Sequence, residues 1–151
     1  NHSCVVSSAR GSGITIADYL LNEGKKISFT ATDDSHFELP DWGGGWVMVA
    51  AAELSQNALI AALKAGHHYA STGADFTDLQ IEDGVLTVTS SPVENVVISG
   101  AGHMAMAETG KAMTVTQFDL AKFRSDWFRI TLRDAAGKMA WSNPYPVSDV
   151  T

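Results

Sequence analysis

The feature that most constrains the fold is a change of pattern at Thr72-Gly73. Beyond it, short runs rich in β-branched and aromatic residues recur: Phe76 to Ile81, Val85 to Thr89, Val96 to Ser99, Met113 to Phe118 and Trp127 to Leu132. Turn residues divide them at Glu82-Asp83-Gly84, Ser91-Pro92, Gly100-Ala101-Gly102 and Ala135-Ala136-Gly137. In Val85-Leu86-Thr87-Val88-Thr89 and Phe128-Arg129-Ile130-Thr131-Leu132-Arg133, apolar and polar side chains alternate. That is the period of a strand with one buried and one wet face, and short strands at such spacing favour a small antiparallel β-sandwich.

Before the change, helical and extended signals mix. A brief apolar core, Cys4-Val5-Val6, precedes a Gly11-Ser12-Gly13 loop. Ile16, Ala17, Leu20 and Leu21 recur at helical spacing over Thr15 to Glu23, with Thr15 as N-cap and Gly24 as stop. Ile27 to Ala31 reads as a buried strand, and Trp46 to Ala50 as a strand or extended run. A second helix is capped by Ser55, stapled by Leu54 and Leu59, faced with Ala58, Leu59, Ala62 and Leu63, and closed by Gly66. The expected class is α+β, dividing into residues 1–72 and a β-sandwich over residues 73–151.

A chain of 151 residues suits one domain, or a small domain with part of another. Its 45% hydrophobic and 18% charged residues fit a globular protein. The net charge of -7, with no basic run longer than Lys25-Lys26, argues against a nucleic-acid partner. No apolar stretch approaches the roughly 20 residues of a membrane span. The one cysteine, Cys4, has no partner for an internal disulfide and reads as a small buried hydrophobe. Asn1-His2-Ser3 lacks both an initiating Met and the regions of a signal peptide, so a truncated amino terminus is expected and the compartment stays open.

The chemistry concentrates in Thr32-Asp33-Asp34-Ser35-His36, at the end of the expected strand Ile27–Ala31. A carboxylate at Asp34 and an imidazole at His36 have the types and spacing to reach one divalent ion. The plainer reading is a loop in which Asp caps a turn. Gly43-Gly44-Gly45 reads as a flexible turn rather than a phosphate cradle, because no Gly-Lys-Ser/Thr follows. Trp42 and Trp46 are candidates for a substrate pocket, whereas Trp127 and Trp141 suit the sandwich core. His67-His68 fits the carboxyl end of a helix dipole, and Arg129 and Arg133 a solvated strand face.

The ordered set Asp33-Asp34-Ser35-His36, Gly44-Gly45-Trp46, Tyr69-Ala70-Ser71-Thr72-Gly73 and Ala140-Trp141-Ser142-Asn143-Pro144 resembles the carboxyl-terminal portion of PHP (polymerase and histidinol phosphatase) superfamily phosphoesterases. The resemblance runs in one register from Asn1 through the Asp18 to Gly24 helix to Pro144. It implies that residues 1–72 are the remnant of a PHP-like β/α barrel. Asp34 and His36 would then be metal ligands, with Asp33 in a supporting role behind them. The cofactors implied are Zn, Mn or Fe ions, which activate water against a phosphorylated small-molecule substrate. The family's remaining ligands, a His-x-His pair and further His and Glu residues, would precede Asn1.

This chain would therefore be the inactive carboxyl-terminal part of a hydrolase. The alternative is a non-catalytic β-sandwich that binds a ligand or partner. Exposed edges of the partial barrel would favour self-association.

Overall fold

Both helices expected from apolar periodicity form, and a third precedes them. A computed structural model describes residues 1–149. In α1 (His2–Ser8), the Asn1 side chain accepts from the Cys4 amide and Ala9 closes the helix in the left-handed region. Cys4-Val5-Val6 is therefore not an apolar core: it lies on one short helix, with Val5 and Val6 exposed and Cys4 half-buried. α2 (Ile14–Asn22) starts at Gly13, which has no side-chain cap, and not at Thr15. In α3 (Gln56–Ala65) Ser55 caps the Ala58 amide and Gly66 ends the helix at φ 77°. Leu54 is 93% exposed, so the expected staple to Leu59 is absent.

The strands are β1 (Trp46–Val49), β2 (His68–Ser71), β3 (Phe76–Glu82), β4 (Val85–Ser99), β5 (Ala105–Asp119), β6 (Trp127–Arg133), β7 (Met139–Ser142) and β8 (Tyr145–Pro146). Every pair among the described residues is antiparallel, in the order β1-β2-β7-β6-β4-β3, with β5 also on β4 and β8 on β6. Asp83 and Gly84, both at positive φ, make the tight turn from β3 to β4.

β4 decides the architecture. The expected turn at Ser91-Pro92 is instead an irregularity inside one long strand, where the register with β5 shifts between Thr89 and Val93. Proline offers no N–H to a ladder, and the strand bends there without ending. One side of β4 pairs with β3 before the bend and with β6 after it, while β5 follows the other side throughout. The outcome is a mixed α+β fold with one curled antiparallel sheet, a half-barrel, where two separate sandwich sheets were expected. Its concave face buries Leu86, Val88, Ile98, Phe118, Ile130 and Leu132.

The other face of β6, β7 and β2 carries Arg129, Thr131, Trp141 and Ala70, toward the helices. Arg129 is not solvated: it is 6% exposed and ion-paired with Asp18 of α2. Because β2 pairs with both β1 and β7, the sheet continues across Thr72-Gly73.

Ile27 to Ala31 has no regular secondary structure and joins no ladder, contrary to the expected buried strand, and its side chains range from half-buried to exposed. Apolar character favours a strand, but a strand also needs a neighbour with free backbone groups. Here the Phe29 amide donates to the Asn143 side chain instead. Among the described residues no helix is long and apolar enough to cross a membrane.

Candidate functional site

Two carboxylates shape the loop that carries the candidate ligands. The amides of Gly43, Gly44 and Gly45 all donate to Asp33, the last two at 2.9 Å. The amides of a would-be phosphate cradle are thus occupied by the chain's own carboxylate, and these bonds, Gly43's foremost, hold Asp33 below its ordinary pKa. Gly43 stands at φ 69°, and a side chain at Gly44 would collide with the His2 imidazole.

Asp41, 2% exposed, accepts from the His36 amide at 3.0 Å, the Ser35 hydroxyl at 2.7 Å and the Phe37 amide at 3.4 Å. These bonds, the His36 amide's first, hold its carboxyl far below the usual carboxylate range. Asp34 and Phe37 both take positive φ, 54° and 61°, a conformation uncommon outside glycine. The Asp41 bonds to residues 35–37 lie within that stretch and hold it in shape.

Asp34 and His36 therefore project from a clamped loop. Asn1 Nδ2 donates to Asp34 Oδ2 at 2.9 Å, while the same side chain's oxygen caps α1. His36 is exposed, and its ring makes no hydrogen bond among the described residues. Carboxylate and imidazole are suitable donors for a divalent ion, and they number two. No group of three or more His, Cys, Asp or Glu side chains among the described residues is placed to hold a metal ion. Trp42 and Trp46 are 57% and 37% exposed, with Trp42 packed on Phe37 at 6.0 Å between ring centroids.

Beside this loop lies a cavity of about 260 Å³ between the helices and the sheet. Asn1, His2, Thr32 and Gly44 bound its end nearest the loop, and Ala70 and Trp141 line it from the sheet. Trp141 thus faces the helices and not the concave core, and neither Trp42 nor Trp46 lines this cavity. His67 is exposed, while His68 is 8% exposed with both ring nitrogens unbonded.

The residues that made the sequence patterns recognisable act as staples. Tyr69 donates to Asp75, Ser71 donates to the Ala74 carbonyl, and Thr72 Oγ1 bonds both backbone groups of Met139. Asn143 donates to the Gly66 and His68 carbonyls and accepts from the Phe29 amide, joining α3, β2 and the segment Ile27–Ala31. Sequence reasoning missed Asn1 and Asp41. Asn at the position before a helix is a capping signal, but nothing local marks Asp41 as a buried acceptor. Comparison with family models, with curated proteins and with solved structures returns no match to this chain.

Proposed function

We propose that this chain is the carboxyl-terminal part of a metal-dependent phosphoesterase, with Asp34 and His36 as two ligands of a centre completed by residues outside it. The observation that carries this reading is the clamped loop. Asp33 and Asp41 spend their oxygens on the loop's own backbone and hydroxyl groups, leaving the Asp34 and His36 side chains accessible. Residues 1–72 are in this reading the remnant of a PHP-like barrel, whose strands β1 and β2 join the sheet formed by the residues that follow.

Protein sites for such ions generally use three or four ligands, so the two here bind weakly and the chain alone does not turn over substrate. In a completed centre the bound Zn, Mn or Fe ion supplies a water of lowered pKa and a polarised phosphoryl oxygen. The chain's own contribution is to hold one carboxylate and one imidazole in a fixed relation, with Asn1 orienting the Asp34 carboxyl group.

Zinc titration followed by the imidazole resonances, with a parallel assay on an aryl phosphate, tests this. Weak binding lost in both Asp34→Asn and His36→Ala, with no turnover by the chain alone, is expected. Turnover that His36→Ala leaves unchanged, or zinc binding indifferent to both substitutions, overturns it.

A further inference from the structure

The cavity beside the ligand loop has a chemical character of its own. Val5, Ile14, Ala17, Phe29, Ala31 and Trp141 give it apolar walls, and His2 is the one ionisable side chain lining it among the described residues. No Lys, Arg, Asp or Glu side chain reaches it. Its volume of about 260 Å³ exceeds the roughly 150 Å³ of an apolar cavity that holds benzene. Ligand sites commonly combine apolar walls with a few placed polar groups, and here Asn1, His2, Ser12, Thr30, Thr32 and Thr72 supply them.

The side of the cavity lined by Asn1, Thr32 and Gly44 adjoins the candidate ligands. Asn1 lines the cavity and donates to Asp34, Thr32 lies two residues before Asp34, and Gly44 and Gly45 line it while donating to Asp33.

We infer that this cavity binds the uncharged, apolar portion of a small molecule about the size of a substituted aromatic ring, with its polar end toward Asn1 and Asp34. Resting on the phosphoesterase reading, that portion is the alcohol side of the ester, so the substrates are phosphate esters of small apolar alcohols. The Asn1 ammonium, which donates to the Gly11 carbonyl, is a positive charge among the lining residues, so an alcohol bearing a positive charge loses hydration on entering and finds no carboxylate among the walls.

Metal-free chain titrated with phenol, and separately with the cationic phenol tyramine, tests the cavity without requiring turnover. Saturable phenol shifts at the amides of Thr32, Gly44 and Gly45 are expected, with binding of the cationic probe weaker by about tenfold, near 1.4 kcal/mol. Ala17→Leu and Ala31→Leu each place methyl groups in the cavity and weaken phenol to a similar degree, each variant being checked for its folded circular dichroism. Absence of saturable phenol shifts overturns the inference, as does equal binding of the charged probe or indifference to both substitutions. Zinc binding at Asp34 and His36 is read separately, so either result fails without the other.

Discussion

Arg129 holds the Asp18 carboxylate at two points, Nε to Oδ1 at 2.7 Å and Nη2 to Oδ2 at 2.6 Å, across 111 residues of chain. The pair fastens α2 to the outer face of β6. Arg129 is nearly fully buried and also donates to Thr131, whereas the Asp18 side chain keeps 30% exposure. Removing Asp18 leaves a buried guanidinium with no counter-charge. Asp18→Ala is expected to cost about 2 to 3 kcal/mol, somewhat less than for a fully buried pair. Urea unfolding measures it, and a loss below about 0.5 kcal/mol would place the bond among weak surface pairs.

Asn143 fills a different kind of gap. Its amide satisfies two carbonyls two residues apart and its oxygen one amide, in two segments distant in sequence from it and from each other. Asn143→Ala leaves these groups without their partner at a cost of about 2 to 4 kcal/mol. Limited proteolysis gives a second measure: cleavage within residues 25–32 should accelerate, because the Phe29 amide loses its tether. Unchanged stability and cleavage would mean that solvent replaces the side chain without penalty.

These two contacts show where the sequence was readable. Apolar spacing with Ser55 and Gly66 located α3, and alternation located the first part of β4 and β6, because those signals lie within one element. Arg129 looked solvated because alternation tells which residues share a face, not what covers it. Ile27 to Ala31 looked like a strand because propensity is local, whereas a ladder needs a partner from elsewhere in the chain. At the candidate site, the types and spacing of Asp34 and His36 were legible. The clamps were not, since the backbone partners of Asp41 and the Asn1 bond to the Asp34 side chain depend on the fold.

Asp41 gives the loop an acid sensitivity. Its carboxyl is depressed in the folded state, chiefly by the His36 amide, then by the Ser35 hydroxyl. A depressed group contributes its full stability above its unfolded pKa, about 3.9, and loses that contribution as pH falls through the folded value. Stability should therefore decline from about pH 4 downward. Asp41→Asn, lacking that carboxylate, should be less stable at neutral pH and decline less steeply, with Asp33 and Asp119 keeping part of the slope. Denaturant unfolding between neutral and acidic pH checks this, and equal slopes would remove Asp41 from the account.

Tyr69 gives the opposite end of the pH range its own signature. Its hydroxyl donates to Asp75 at 3.2 Å, and its ring meets Phe76 edge-on at 5.1 Å between centroids. Burial, reinforced by the Asp75 charge, pushes the phenol up to about 12, against roughly 10 in an unfolded chain. Between those values the folded protein retains a proton that the unfolded chain releases, so stability falls as pH rises through the interval. Tyr69→Phe removes that contribution, leaving a shallower loss from Tyr145, which burial also raises. Phenolate absorbance should show late ionisation of Tyr69 in the native protein and ordinary ionisation in denaturant. A native curve matching the denatured one would mean that this ring and its hydrogen bond to Asp75 are open to water.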